Sequence, residues 1–573
     1  MKNVLFIVVD SVYEKILNEN PDICPFINSV KDRSFYFSNV FSQGPYTEAG
    51  TKGLLCSENT LDNETYLFRY SKAQHFISGM FKDNGYKTSS IIYPTTLYNE
   101  KITQKLDGIY HSAVFLPGVF WSQKLLFYKE IWDERGLQEE EYARVYGLLD
   151  DILNYWQFSV DTQNHPENMR LFDQYNKLYP YQDFYSLLTA EKERYYADKK
   201  VYVDHLMETG GGILNSNTFD ATNFIRTDTL NTVVRRKKRF CRKLVRRQLT
   251  IDFAKLKQLW NLCRCSGSVK NWMPYVKMWA RELREAYDIW QVKKSKDFKL
   301  LLSAGAQLDF AAQLLSEETD EPQFVMVHVE EPHYYNSFFT YDSDDVERLS
   351  AEFDYANAYL ESRKGKPYTG FLYYDLSVRY VDLQIQNAVE KLRKAGVLDN
   401  TTIVITSDHG SSYTGRSLRS NRVINFYEEN YHVPFIIYDE SIKGAQIHSL
   451  ASNVDIVPTV MQFLGLKVPE NLAGRDILSA PERPYVFVEY MGSGCPDIHL
   501  RPVWLAIRDE AYQINYIGSI FEEFSTNHIQ SVYDLKSDPL QRKDIKHTKY
   551  TAELETLICH LRDRFERIKQ EYV

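Results

Sequence analysis

An unbroken apolar run, NVLFIVV at residues 3–9, stops at Asp10, and the same pattern recurs along the chain. A strand that is apolar on both faces belongs inside a parallel sheet, where helices cover both sides. TTIVITSDHG at 401–410 and FVMVHVEEPH at 324–333 repeat it, and KTSSIIYP at 87–94 and VPFIIY at 433–438 supply further strands. Helical spacing falls between them, as in LSVRYVDLQIQNAVEKLRKAG at 376–396, which ends on a glycine cap. Strands alternating with helices predict an α/β core with a mostly parallel central sheet flanked by helices. Such sheets bind ligands beyond the carboxyl ends of their strands. Asp10, His328, His333, Asp408 and His409 all fall at or just past such ends.

Between the two halves of this core the pattern changes. Charged and aromatic residues at helical spacing, as in EEEYARVYGLLDDILNYW and VKMWARELREAYDIW, predict a mainly helical insertion. Past residue 480, PVWLAIRDEAYQINYIG alternates as antiparallel strands do, and SVYDLKSDPLQRKDI is rich in turn residues. The expected organisation is a first core half at 1–120, the insertion at 121–300, a second core half at 301–480 and a small C-terminal subdomain at 481–573.

Composition narrows the function classes. The 573 residues are 44% hydrophobic, enough for a sizeable core, and the net charge of −9 argues against a general nucleic-acid binder. One run opposes that charge: RRKKRFCRKLVRR at 235–247 holds nine basic residues in thirteen. It is either a solvated helix face or a patch for an anionic membrane or polymer. The 42 tyrosines mostly fill core and surface, although their amphipathic rings also suit carbohydrate-like surfaces. Seven scattered cysteines make no disulfide framework, and Cys263-Arg-Cys265 lacks zinc-ribbon spacing. No stretch reaches the ~18 apolar residues of a membrane span. The N-terminal run reads as a strand rather than a signal peptide, so the expected location is cytoplasmic, with peripheral membrane contact through 235–247.

Chemistry enters at FSQGPYTEAGTKGLLCS, residues 41–57. Pro45 sets a turn and Thr47 opens an apolar helical segment. As an ordinary residue Thr47 is an N-cap. A helix N-terminus also attracts phosphate or sulfate, and a hydroxyl there beside a cation becomes a nucleophile. Asp10 and the Asp408-His409 pair offer oxygen and nitrogen donors from separate elements, as a divalent cation requires. GSGCPDIHLRPVW at 492–504 adds Arg501 as a candidate anion-binding side chain, with a plain turn as the alternative.

The opening NVLFIVVDS…PFINSVKDRSFYFSNVFSQGPYTEAGTKGLL resembles the sulfatase-like branch of the alkaline phosphatase superfamily. TIVITSDHG, HVPFIIYD, SNVDIVPTVMQFLGL and SVYDLKSDPLQRKDI resemble later motifs of that branch, in the same order. The resemblance implies an alkaline-phosphatase-like fold. It implies one divalent ion held by Asp10, Thr47, Asp408 and His409, as in lipoteichoic acid synthase and phosphoethanolamine transferases. Mn²⁺ suits the mixed, oxygen-rich ligands best, with Zn²⁺ and Mg²⁺ as alternatives. Thr47 would be both ligand and nucleophile. His328, His333 and His432 would hold the substrate's anionic group or protonate its leaving group. Lys52, one position beyond the arginine of the sulfatase C/S-x-P-x-R motif, joins them as a substrate-binding candidate.

That motif is otherwise missing, since Thr47 is followed by Glu-Ala-Gly-Thr. Asp10 is followed by Ser11 rather than a second aspartate. The expected function is therefore phosphotransfer or hydrolysis on phosphate esters or phosphodiesters of a glycan or lipid-linked substrate, through a phospho-threonine intermediate. The alternatives are a sulfatase with an atypical nucleophile and a non-catalytic binding protein.

Overall fold

The structure, a computed structural model, describes residues 1–19, 23–62, 73–92, 107–112, 300–301, 304–333, 372–411, 419–420, 423–424, 426–490 and 503–572. The expected helical insertion, the basic run at 235–247 and Arg501 lie outside the described residues.

The large sheet contains β1 (Asn3–Val9), β2 (Ser34–Phe41), β3 (Lys87–Ile92), β4 (Gly108–Ser112), β5 (Leu300–Leu301), β6 (Gln323–Val329), β7 (Thr401–Thr406), β10 (His432–Tyr438), β11 (Ala445–Ile447) and β12 (Ala451–Ser452). A two-strand ladder of β8 (Arg419–Ser420) and β9 (Val423–Ile424) stands apart. The large sheet runs β11-β2-β10-β7-β1-β6-β3-β4-β5, with β12 also on β2. The first strand lies near the middle, parallel to β6 on one side and β7 on the other. VPFIIY forms the exception: β10 is antiparallel to both β7 and β2. The chain direction of β2 therefore matches that of β1, and the carboxyl ends of β1, β2, β6 and β7 share one edge.

The doubly apolar reading of β1 holds residue by residue. Leu5, Ile7 and Val9 enter one core cluster, while Val4, Phe6 and Val8 enter the other. Each such side chain contributes about 1.5–3 kcal/mol on burial, which fixes the strand's place between two helical layers. One layer is built from α1 (Glu14–Glu19), α2 (Pro25–Ser29), α5 (Ala304–Leu315) and α6 (Leu372–Lys394). The other contains α3 (Thr47–Cys56), α4 (Ile77–Asp83) and α7 (Ile456–Phe463). The long α6 starts a turn earlier than its sequence pattern suggested and gives way to Gly396 at φ 73°.

The C-terminal expectation of antiparallel strands is met by a separate sheet, β13 (Val486–Tyr490), β14 (Val503–Arg508), β15 (Tyr512–Gly518) and β16 (Ile529–Asp534). SVYD, read as the start of a turn-rich stretch, lies in β16 because its alternate residues pair with β15. Helix α8 (Ala552–Tyr572) covers this sheet with Leu554, Leu557, Leu561, Phe565 and Ile568, one face at helical spacing. Among the described residues no helix is long and apolar enough to cross a membrane.

Candidate active site

Four strand ends deliver the site. Asp10 follows β1, His328 is the penultimate residue of β6 and His333 lies just beyond it, and Asp408-His409 follow β7. The loop after β2 leads into α3. Thr47 is the first residue of that helix and Tyr46 its cap, so the N-cap expectation is displaced by one residue.

The side chains meet around Asp10. Its Oδ1 lies 2.8 Å from His333 Nδ1 and 3.4 Å from His409 Nε2. Its Oδ2 lies 3.2 Å from Thr47 Oγ1 and 3.5 Å from His328 Nε2. Thr47 Oγ1 is also 3.1 Å from His409 Nε2. His409 Nδ1 sits 2.6 Å from the Gly410 carbonyl, which fixes a proton there and leaves Nε2 as the lone-pair nitrogen. Asp408 Oδ1 accepts from the backbone N–H groups of His409 at 2.8 Å and Ser11 at 3.2 Å.

Burial dominates the electrostatics. It would raise the Asp10 carboxyl, but the imidazoles of His333, His328 and His409 overcome it and hold Asp10 well below the usual carboxylate range. Asp408 moves the other way, raised by burial and then by the Asp10 charge. Burial opposes protonation of His328, yet the neighbouring Asp10 carboxylate raises it overall. Glu330 is raised well above its ordinary value by burial and by the charges of Asp10 and Asp408.

These donors fit a divalent cation. Two sets, Asp10-His333-His409 and Asp10-His328-Asp408, each bring three ligand atoms within 4.8 Å of one another. His328 Nε2 and Asp408 Oδ2 are buried without a hydrogen-bond partner. Leaving two such atoms orphaned costs about 1–3 kcal/mol each, which a bound cation would offset.

The backbone is built to allow this approach. A Cβ on Gly50, in the second turn of α3, would lie 2.1 Å from the Asp408 carbonyl oxygen. Asn453 locks the same junction, donating to Ser42 Oγ at 3.2 Å and the Gly50 carbonyl at 2.8 Å while accepting from Gln43 N–H at 3.1 Å. Ser42 Oγ in turn donates to the Asp408 carbonyl at 2.5 Å.

His432 and Lys52, expected at the substrate, are both engaged by protein partners. His432 begins β10 at the same sheet edge, but its ring turns into a buried ionic cluster. Its Nε2 meets the Ser38 carbonyl at 2.9 Å, and its Nδ1 meets Glu428 Oε1 at 3.3 Å. Glu428 also binds Arg508 at 2.7 Å and Lys15 at 2.6 Å. Lys52 is buried, and its ammonium donates to the Thr60 carbonyl at 3.2 Å and to the Asp62 carbonyl. It braces the loop after α3, because a buried ammonium must find acceptors nearby.

In the sequence Ser11 marks only the absence of a second aspartate. Its φ of 66° is unusual for a non-glycine residue. The conformation aims Oγ into the site, 2.6 Å from Asp10 Oδ1, 2.9 Å from His333 Nδ1 and 3.4 Å from His409 Nε2. Its carbonyl accepts from Tyr374 Oη at 2.6 Å, which holds the strained turn.

Comparison with known proteins agrees with this architecture. A sulfatase family model matches residues 279–466. The chain is 29% identical over 186 residues to N-acetylglucosamine-6-O-sulfatase of Bacteroides thetaiotaomicron, 30% of this chain and 31% of that protein. It is 29% identical over 121 residues to lipoteichoic acid synthase 2 of Bacillus subtilis, 20% of this chain and 19% of that one. These alignments span at most about a third of the relatives' length. The structure of BT1596, a 2-O GAG sulfatase, superposes with a TM-score of 0.51 at 13% identity, covering 100% of this chain and 93% of that one. The fold is thus that of the alkaline-phosphatase-like sulfatases, and the resemblance stated from the sequence motifs stands.

Proposed function

We propose that the chain is a metal-dependent phosphotransferase or hydrolase that acts on phosphate esters or phosphodiesters through a phosphorylated Thr47. The observation that carries this reading is the position of Thr47 Oγ1, 3.2 Å from Asp10 Oδ2 and 3.1 Å from His409 Nε2, at the N-terminus of a ten-residue helix. A cation held by Asp10, Asp408, His409 and Thr47 itself would lower the threonine's pKa and polarise a phosphoryl oxygen.

The chain's own groups do the rest. The first turn of α3 directs N–H groups and the positive end of the helix dipole toward an anion that meets Thr47. With Asp10 and His409 given to the cation, Thr47 would release its proton to solvent as its pKa falls. The Thr47 oxygen then forms a bond to phosphorus as the bond to the leaving oxygen breaks. His333, whose side chain is 31% exposed, is held at Nδ1 by Asp10 and Ser11 and stands where a proton is delivered to the leaving oxygen. A water or alcohol oxygen next attacks phosphorus, giving its proton to His333 as the bond from phosphorus to the Thr47 oxygen breaks, and a solvent proton returns Thr47 to its hydroxyl form. The basic run at 235–247 is proposed to hold an anionic glycan or lipid-linked acceptor.

Sulfate-ester hydrolysis is the second reading, because the sulfatase family model and a sulfatase relative favour it. Threonine in place of the sulfatase cysteine or serine favours phosphorus. Assay of aryl phosphate, phosphodiester and sulfate ester side by side, with wild type and Thr47→Ala, separates the two. The expected result is turnover of phosphorus esters that Thr47→Ala abolishes. Preferential turnover of sulfate esters would replace the first reading by the second.

A further inference from the structure

We infer, on the reading of His409 Nε2 as a cation ligand, that Gln541 is a positioning residue for that imidazole and acts on it through the segment 426–430. Gln541 lies in SVYDLKSDPLQRKDI, a stretch the proposed chemistry leaves without a role.

The link starts at one peptide unit. The Gly410–Ser411 peptide is planar and trans, so its carbonyl and its N–H point in opposite directions. The carbonyl accepts from His409 Nδ1 at 2.6 Å, and the Ser411 N–H donates to the Glu429 carbonyl at 2.7 Å. Whatever places the Glu429 carbonyl therefore aims the oxygen that orients the ring. The Gly410 N–H adds a second tie, to the Asn430 carbonyl at 2.9 Å. This junction has no slack, since a Cβ on Gly410 would lie 2.1 Å from the Glu429 carbonyl oxygen.

Glu428–Asn430 is a single buried helical turn, too short to hold its own place. Gln541 holds it. Its Oε1 accepts the Glu428 N–H at 2.7 Å, and its Nε2 donates to Gln513 Oε1 at 2.7 Å and to the Phe426 carbonyl at 3.4 Å. Gln513 of β15 also donates to the Phe426 carbonyl and accepts from Tyr431 Oη, so both ends of the segment are tied to the C-terminal sheet. Gln541 and Gln513 are both buried. A φ of 53° puts Gln541 in the left-handed region, a conformation that persists because the packed turn determines it. Arg508 and Lys15 bind the Glu428 carboxylate, whereas the Gln541 amide holds the backbone itself.

Without that amide the turn is released, the Glu429 carbonyl moves, and the Gly410 carbonyl no longer fixes the proton on His409 Nδ1. The lone pair of Nε2 then loses its aim toward Thr47 and the cation.

Gln541→Met keeps the length of the side chain and removes its amide. Gln541→Asn tolerates the left-handed backbone but is one methylene too short for both partners, so it tests the same point if the first variant does not fold. Two measurements on the whole chain, made well below its unfolding transition, need no substrate. Hydrogen exchange should show the Gly410 and Ser411 amides exchanging at least about tenfold faster while the strands of the large sheet keep their rates. Mn²⁺ titration, followed by electron paramagnetic resonance of the free ion, should show affinity weakened about 10–100-fold, the effect of losing an outer partner of a ligand. Leu561→Ala, in the core beneath α8, controls for lost stability and should leave both quantities at their wild-type values. Wild-type exchange at Gly410 and Ser411, or wild-type Mn²⁺ affinity, in the Gln541 variants overturns the inference and leaves the proposed function standing. Equal changes in Leu561→Ala also overturn it, because the effect is then one of stability alone. A wild-type chain that binds no Mn²⁺ would sink the cation reading, and the exchange rates would still decide whether Gln541 holds the His409 loop.

Discussion

Thr47 changes its meaning with its neighbours. In the sequence it is a plausible helix cap, and in the fold it is the first residue of α3, within 3.2 Å of both Asp10 and His409. Ser11 has no comparable sequence signal, because its role depends on a φ of 66° that only the packed turn imposes. We expect Ser11→Ala to keep the fold but weaken metal binding by about 10–100-fold, the usual effect of removing a group that orients ligands, as checked by calorimetric titration with Mn²⁺. Gly50→Ala tests the approach of α3 to the β7 loop. Its Cβ would fall 2.1 Å from the Asp408 carbonyl, and a backbone carbonyl cannot swing aside as a side chain can. The helix must shift instead, and a displacement of about 1 Å at a nucleophile costs about 100-fold in rate. Steady-state kinetics on the preferred ester should therefore show a fallen kcat in a variant that still folds by circular dichroism.

The elements were legible where both faces are buried. NVLFIVV, FVMVHV and TTIVIT could only be central strands, and their polar terminators Asp10, His333 and Asp408 could be read directly as site candidates. Direction was not legible. An apolar run such as HVPFIIY reads the same in either orientation, so neither the antiparallel β10 nor the turn of His432 toward Glu428 had a signature. The partners of Lys52 were not legible for a related reason, since helical spacing gives a face but not the Thr60 and Asp62 carbonyls of the loop that follows. One pairing of elements makes a pH prediction. Asp382 on α6 accepts the N–H groups of Phe26 at 2.9 Å and Ile27 at 3.0 Å, closing the first turn of α2. Burial nevertheless pushes its pKa from 3.8 up to about 6. The folded state then holds this proton more tightly than the unfolded one. Its contribution is fully present below about pH 4 and is lost as pH rises through about 6, at most about 3 kcal/mol. Urea denaturation at about pH 4.5 and about pH 7 should show a smaller difference in Asp382→Asn than in wild type.

At the scale of the molecule, the C-terminal sheet is tied to the nucleophile segment rather than merely appended to it. Arg564 of α8 binds Glu489 at 2.5 and 2.9 Å and Asp62 at 2.7 Å. Glu489 in turn accepts the Leu61 N–H at 2.9 Å, and its own N–H donates to the Gln43 carbonyl at 2.6 Å. The loops on both sides of α3 thus lean on β13 and α8. Arg564→Met leaves Glu489 buried without its cation, so it should lose about 3–5 kcal/mol in denaturant titration. Metal joins the same balance. Asp408 and Glu330, both raised by burial and by neighbouring charge, cost the metal-free chain stability at neutral pH, and a free ion at a hundredfold over its Kd restores about 2.7 kcal/mol. Chelation should lower the unfolding midpoint, and Mn²⁺ should restore it.

The central claim is that Thr47 carries the transferred group, and acid-quenched turnover followed by peptide mass spectrometry tests it most directly. The peptide containing Thr47 should gain the mass of the phosphoryl or substituted phosphoryl group during turnover of a phosphate ester or phosphodiester, and Thr47→Ala should show neither the adduct nor turnover. Undiminished turnover by Thr47→Ala would contradict it.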